Sequence, residues 1–353
     1  MDIFALYPTS PGYDFITEDT YFQKTQRRFP WATHTKSLPK SPLYLATCPE
    51  CKNAIEIREL DRVRGENERA PMEPFGKHYQ HNVPGLDIIY DQAKYDNCSL
   101  RAKVSLSSSE PRLSQAFNDE VLKLLVNEAA VVREVLATTV GIGFGDRLFE
   151  SMLKTFIEQG RYRCKGVMPS NLPFALLYWT ESQWITGQYI SSEKHVEMEC
   201  AIENSLHFCM SGRQISSKHW RDKQSAAARD KTPLPSRPDW GPHRLAFFMG
   251  KRVVRGDERK GEKNHMTLTL TEHTNNKPTG NPIYKKKISY SNNHFPNAIR
   301  AFERRMSKPE EAAETLAKRI RAGKLAYSYA KHLLPDTWRP NWEDEEGARL
   351  DAS

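Results

Sequence analysis

The chain has 353 residues, of which 38% are hydrophobic and 27% charged, and its formal net charge is +8. This length suits two or three domains with a sizeable core. No run approaches about 18 consecutive apolar residues, which excludes a membrane-spanning helix. Six cysteines in 353 residues are too few for a disulfide scaffold. The N-terminal residues lack the basic and apolar stretches of a signal peptide, so we expect a cytoplasmic protein.

The first part of the chain combines an aromatic segment with a pair of cysteines. About forty residues rich in aromatics and prolines predict an extended arm with short strands. Two β-prone runs follow, 43–47 and 54–58, and Cys48 and Cys51 lie in the turn between them. This arrangement is typical of a zinc-ribbon-like knuckle, in which a tight turn aims two sulfurs at one ion. The polar stretch 61–74 is predicted to be a loop.

Three further residues could complete a zinc site with Cys48 and Cys51. They are His78, His81 and Cys98, which allow either two histidines or one histidine with the third cysteine. Both sets satisfy the tetrahedral Cys/His coordination that zinc prefers. A site with four protein ligands is closed to water, so we expect a structural zinc ion without catalytic function.

The middle of the chain has helical periodicity. After Ser109, apolar residues recur at helical spacing from Leu113 to Leu136, and glycines at 141, 143 and 145 interrupt the pattern. A second helix is predicted from about residue 146 to 160, and a third over 172–185. Residues 106–190 are therefore predicted to form a helical unit.

The last part of the chain has a mixed pattern. Residues 195–200 alternate between polar and apolar, which predicts a strand whose His195, Glu197 and Glu199 could hold a divalent cation. Residues 212–243 contain four prolines and are predicted to be a loop. Alternation over 245–254, 266–271 and 283–290 predicts strands, the last two as a hairpin. A capping pattern at Ser307–Glu310 predicts a terminal helix.

The positive charge is concentrated in one third of the chain. Residues 212–333 contain 27 Lys/Arg and 11 Asp/Glu, a net charge of +16, whereas residues 1–211 and 334–353 each carry −4. Such a basic block, with aromatic residues interleaved, is typical of a surface that binds nucleic acid. The candidate contact residues are Lys251, Arg252, Arg255, Arg259, Lys260, Lys263, Lys285, Lys286, Lys287, Arg304, Arg305, Arg319 and Lys324.

These observations predict an α+β protein in three parts. Residues 1–105 form the aromatic arm and the zinc-ribbon-like module, 106–190 the helical unit, and 191–353 a basic region with a β-hairpin, terminal helices and an acidic tail. We expect a non-catalytic nucleic-acid-binding protein with a structural Zn²⁺, acting as a subunit of a ribonucleoprotein or DNA-processing complex, of the RNA-guided or mobile-element kind. The alternatives are a metal-dependent nuclease using His78, His81 or the His195 strand, and an adaptor whose basic face binds an acidic protein.

Overall fold

A computed structural model provides the structure of the chain. It describes residues 1–35, 38–61, 73–102, 104–191, 195–250, 253–254, 256 and 263–345, with the backbone alone at 34–35 and 38–41. Helices and antiparallel strands are mixed along these residues, as the predicted α+β class requires. No helix of the described ranges is long and apolar enough to cross a membrane.

The N-terminal part has a two-stranded and a four-stranded antiparallel sheet, with two short helices. Its elements are β1 (Ile3–Phe4), β2 (Asp14–Phe15), α1 (Glu18–Thr25), β3 (Ala32–Thr35), β4 (Leu38–Thr47), β5 (Ala54–Arg58), β6 (Phe75–His78) and α2 (Gln92–Asn97). The two-stranded sheet pairs β1 with β2, and the four-stranded one has the order β3-β4-β5-β6. The predicted arm therefore contains a helix, which begins where the Thr17 side chain accepts a hydrogen bond from the Thr20 N–H.

The helical unit follows. Its elements are α3 (Gln115–Asn127), α4 (Ala129–Val140), β7 (Ile142–Gly143), α5 (Asp146–Glu158) and α6 (Leu172–Trp179). The second predicted helix is confirmed as α5. The first is divided at Glu128 into α3 and α4, and Leu113 precedes α3 and is exposed. The third helix was predicted too long, because it ends at Trp179 and a strand begins at Gln183.

The remaining residues form two sheets and four helices. Their elements are β8 (Gln183–Trp184), β9 (Tyr189–Ile190), α7 (Val196–Glu203), β10 (Phe208–Ser211), β11 (Gln214–Ser217), α8 (Lys218–Asp230), β12 (His243–Met249), β13 (Asn264–Thr274), β14 (Lys277–Pro278), β15 (Tyr284–Tyr290), α9 (His294–Met306) and α10 (Pro309–Ala330). One sheet has the order β10-β11-β9-β7. The other has the order β14-β13-β12-β8, with β15 also paired to β13. The predicted hairpin is confirmed by the pairing of β13 with β15.

Two sequence predictions in this part are wrong. Residues 195–200 belong largely to helix α7, because Met198 and Ile202 are buried one turn apart and this contact overrides the short alternation. Residues 212–243 contain helix α8, whose N-terminus is capped when the Ser217 hydroxyl accepts from the Trp220 N–H. This helix is polar and buries only Trp220, so it has little apolar periodicity to detect.

The C-terminal helices pack on the helical unit. Arg305 of α9 donates two hydrogen bonds to Glu134 of α4, at 2.9 and 2.7 Å. Arg321 of α10 pairs with Asp146 at the start of α5. One hydrophobic cluster includes Phe149 of α5, Phe302 of α9 and Ala326 of α10. The division of the chain at residues 105 and 190 stays a prediction.

A buried carboxyl group lies where α10 crosses the start of α4. Burial raises the pKa of Glu128 to about 7, although Arg319 on α10 lowers it. The Arg319 guanidinium is 3.9 Å from the Glu128 carboxylate and 3.1 Å from that of Glu345. Two carboxyl groups thus share one buried cation, and ionisation of Glu128 opposes folding.

We expect Glu128→Gln to stabilise the protein at pH 8 but not at pH 5. A raised pKa in the folded state contributes stability below about pH 4.5, and this contribution is lost as the pH rises through 7. Denaturant unfolding at both pH values should show a gain of up to about 3 kcal/mol at the higher one.

Glu314→Gln on α10 is the control for this experiment. Glu314 is exposed, and its pKa is lowered by its hydrogen bond with Lys318. Its replacement should therefore give no gain at pH 8. Equal effects of Glu128→Gln at pH 5 and pH 8 would contradict the account of Glu128.

Candidate metal centre and basic sheet face

The turn between β4 and β5 holds the two cysteines of the CxxC motif. Strands β4 and β5 pair in the register Thr47↔Ala54, which places Cys48 and Cys51 in the connecting turn. The turn closes when the Cys48 N–H donates to the Asn53 carbonyl at 2.8 Å and the Lys52 N–H donates to the Cys48 carbonyl at 3.0 Å. Lys52 adopts a φ of 63°, which the tight turn requires. The two cysteines thus lie in a tight turn between two paired antiparallel strands.

Four side chains converge beside this turn. Cys48, Cys51, His78 and Cys98 each offer one ligand atom, and these atoms all lie within 4.8 Å of one another. His78 is the last residue of β6, and its partner Ile55 on β5 brings it beside the turn. Cys98 follows α2 directly. All three cysteines are buried, with exposures of 0%, 6% and 4% in chain order.

Three of the spacings among the four atoms are close to those of a tetrahedral site. With metal–sulfur and metal–nitrogen bonds of about 2.3 and 2.0 Å, a tetrahedron has edges of about 3.8 Å between sulfurs and about 3.6 Å between sulfur and nitrogen. The Cys48 and Cys98 sulfurs are 3.7 Å apart. The His78 Nε2 atom is 3.2 Å from the Cys51 sulfur and 3.7 Å from the Cys98 sulfur. The residues are therefore arranged to hold a metal ion with little movement.

Protonation of the three thiols is unequal. Burial raises the pKa of Cys48, and the pKa of Cys98 is raised because its thiol donates to the sulfurs of Cys48 and Cys51 and is itself buried. The pKa of Cys51 is lowered, because the Cys48 and Cys98 thiols donate to its sulfur and His78 lies beside it. Three sulfurs this close cannot all be anionic without a cation among them. A bound metal ion would supply that charge.

His81 lies outside the group of four. It is exposed and follows the end of β6, and its ring contacts Tyr79 with the centroids 4.8 Å apart. Of the three residues that the sequence left open, His78 and Cys98 thus approach the CxxC turn together. Among the described residues, this is the one group of three or more potential ligands that could hold an ion.

Glu50, inside the CxxC motif, connects the site to the helical unit. Its carboxylate accepts from the Ser99 N–H at 2.9 Å and from the Ser99 hydroxyl at 2.6 Å. The Ser99 hydroxyl in turn accepts from Nε of Arg112 at 3.1 Å. Sequence reasoning did not single out Glu50, Ser99 or Arg112, because no motif relates a residue of the turn to a partner about sixty positions away.

Arg112 is buried at the junction with the helical unit. It is 3% exposed, and burial lowers its pKa to about 10. Its guanidinium donates to the Asn118 side chain at 3.1 Å and to the carbonyls of Tyr162, Cys164 and Val167. The charged group is thus surrounded by acceptors, which offset the cost of its burial.

The predicted nucleic-acid contacts have different surroundings. Lys251, Arg252, Arg255, Arg259 and Lys260 lie outside the described residues. Four others face the solvent, namely Lys263, Lys285, Lys287 and Arg304.

Other members of the predicted set are engaged within the protein. Lys286 points to the opposite side of β15, where it donates to the Thr139 carbonyl at 3.2 Å and contacts His195 Nδ1 at 3.0 Å. Arg305 is paired with Glu134, and Arg319 is 9% exposed between Glu128 and Glu345. Lys324 on α10 is exposed like the four residues above, and it also has an interaction within the protein.

Lys285 and Lys287 share one face of the sheet formed by β8, β12, β13 and β15. The register pairs them with Thr269 and Thr267 of β13, and Thr269 pairs with Phe248 of β12. We call this side the outer face, because the opposite side carries Leu245, Phe247, Leu268 and Leu270 into the core. Arg244 also belongs to the outer face, next to His273.

The His195 cluster is not a metal site in the structure. His195 is buried against Gly141 and Lys286, while Glu197 and Glu199 lie on helix α7. These residues do not share a strand face, and the described residues show no group of three potential ligands there. Burial, together with the charge of Lys286, lowers the pKa of His195.

Comparisons with protein families, with curated proteins and with solved structures found no significant match to this chain.

Proposed function

We propose that this chain is a nucleic-acid-binding protein whose N-terminal module is stabilised by a structural zinc ion. The observation that carries the proposal is the composition of the outer face. Lys285, Lys287 and Arg244 lie on it, and Glu272 is the one acidic residue in the strands that the structure describes for this sheet. Glu272 belongs to the opposite face and is 5% exposed.

Several cations of the C-terminal helices are paired within the protein, although Arg304 of α9 is exposed like the lysines of the outer face. On α9 and α10, Arg305, Arg321 and Lys318 each pair with a carboxylate of the protein. Lys285 and Lys287 form no ion pair with any carboxylate of the described ranges, and both are exposed. Cations without an internal partner are the ones that can replace counterions on a phosphate backbone. This contrast favours nucleic acid as the partner.

The zinc assignment is supported by the donor set. Three sulfurs and one imidazole nitrogen are the ligands of structural zinc sites, and harder cations prefer oxygen. With four protein ligands, zinc would leave no open position for water, so its role would be to hold β4, β5, β6 and the segment at Cys98 together. Membership of a larger ribonucleoprotein or DNA-processing complex stays a prediction.

Charge reversal on the outer face tests the nucleic-acid proposal. We expect Lys285→Glu with Lys287→Glu to weaken binding to a mixed pool of oligonucleotides and to reduce the slope of log affinity against log salt by about two. The slope changes because each lysine is expected to neutralise one phosphate, and its replacement leaves that phosphate with its counterion. Fluorescence anisotropy at several salt concentrations gives both the affinity and the slope.

A matched variant controls for net charge. Arg147→Glu with Lys154→Glu changes the charge equally on the exposed side of α5. It should leave the salt slope close to that of the unmodified protein. Binding that does not depend on salt, or equally weakened binding in the two double variants, would refute nucleic-acid binding by this face.

A further inference from the structure

A large aromatic side chain lies exposed on the outer face. Trp184 of β8 pairs with Ala246 of β12, which in turn pairs with Thr271 of β13. It is 41% exposed, and its ring contacts the edge of the His273 ring with the centroids 5.1 Å apart. The exposed part of this indole lies on the same face as Lys285 and Lys287, where it is available to stack on a flat ligand.

Phe248 lies beside Trp184 on the same face. It pairs with Thr269, and Thr269 pairs with Lys285, so an aromatic ring, a small polar side chain and a cation follow one another across the sheet. Ala246, the partner of Trp184, and Phe248 are two residues apart along β12, which corresponds to about 6.8 Å. Phe248 is half-buried. The face thus has aromatic rings on β8 and β12, and cations on β15.

The positions of rings and charges set the direction in which a ligand would lie. Trp184 is on the first of four neighbouring strands, and Lys285 and Lys287 are on the last. Because adjacent strands are about 4.8 Å apart, the first and last strands are about 14 Å apart. A ligand that contacts both must cross the strands. The distance exceeds the size of one nucleotide monophosphate, so a polymer with both aromatic and anionic groups suits the face better than a free nucleotide.

We propose that the outer face binds single-stranded nucleic acid, with a base stacked on Trp184 and phosphates at Lys285 and Lys287. This inference rests on the proposed function and names the form of nucleic acid. In a duplex, the faces of the bases are covered by their neighbours and cannot reach a ring on a protein surface. In a single strand they are free to stack on aromatic side chains, and sheet faces with exposed aromatics bind single strands in this way.

The test compares one sequence in two forms. A labelled oligonucleotide of about 15 residues, within the range that single-strand sites cover, is measured alone and as a blunt duplex, in RNA and in DNA. We expect the single strand to bind more tightly in at least one of the two chemistries. Trp184→Ala should weaken single-strand binding by roughly tenfold and leave the salt slope unchanged, because the lysines still neutralise the same phosphates.

Two further variants separate stacking from damage to the fold. Trp184→Phe keeps a ring and should retain most of the affinity, whereas Tyr189→Ala removes an exposed aromatic (58%) from the other sheet and should have no effect. Duplex binding as tight as single-strand binding, or an unchanged affinity in Trp184→Ala, would overturn the inference while leaving the proposed function intact. Absence of binding to either form would overturn both.

Discussion

Replacement of His78 by alanine should abolish stable zinc binding, whereas replacement of His81 should leave it unchanged. His78 Nε2 lies 3.2 Å from the Cys51 sulfur, but His81 is exposed and contacts Tyr79. Loss of a ligand should lower the affinity by more than about 100-fold, since changes in residues that only support ligands cost 10–100-fold. Metal content per chain and competition with a chromogenic chelator measure the effect.

The same experiment should affect stability, because zinc binding and folding are coupled. Structural zinc contributes about 10–16 kcal/mol of apparent binding free energy in small zinc domains at pH 7, and that energy is lost with the ion. We therefore expect His78→Ala to unfold at a lower denaturant concentration. His81→Ala is the matched control, because His81 is exposed outside the group of four ligands and should leave the denaturant midpoint unchanged. Equal zinc content in the His78 and His81 variants would refute the assignment.

Replacement of Arg112 by methionine should destabilise the protein by at least about 3 kcal/mol. Methionine fills much of the same volume but donates no hydrogen bond, so buried acceptors at Asn118, Tyr162 and Val167 are left without their donor. Denaturant unfolding followed by circular dichroism measures the change. Arg112→Lys should recover only part of the stability, because an ammonium group cannot reach all the acceptors that surround the guanidinium.

Arg163 is the matched control for Arg112. It is exposed and donates to the Gln115 side chain at 3.2 Å. Arg163→Ala should change the free energy of unfolding by no more than about 0.5 kcal/mol, as is usual for surface replacements. If Arg112→Met were as mild as the Arg163 replacement, the buried network would not hold the module to the helices.

The sequence predicts the turn that holds Cys48 and Cys51 because the residues that determine it are close together in the chain. Two β-prone runs around a CxxC determine the hairpin and its turn without help from the rest of the chain. The choice between His78 and His81 depends on where β6 ends, and strand ends are set by pairing with β5. Cys98 is placed by α2, whose docking beside the turn no spacing rule could give.

The outer face was predicted only in part, for a different reason. Lys285 and Lys287 stand out in the sequence as members of a basic run, but Lys286 between them faces the other way because strand residues alternate. Trp184 lies in the apolar segment 172–185, which the sequence predicts to be helical. Its place on the outer face depends on the end of helix α6 at Trp179 and on the pairing of β8 with β12, which is a tertiary contact.

The residues that connect Glu50 through Ser99 to Arg112 are also synthesised in a fixed order. All four candidate metal ligands lie within the first 98 residues, so they leave the ribosome before α3 does. Arg112 comes next, and the carbonyls that surround it belong to residues 162–167. Since chains emerge from the N-terminus, the metal turn can form while the later partners are still being made. Each new segment would then dock on a surface that the previous one has completed.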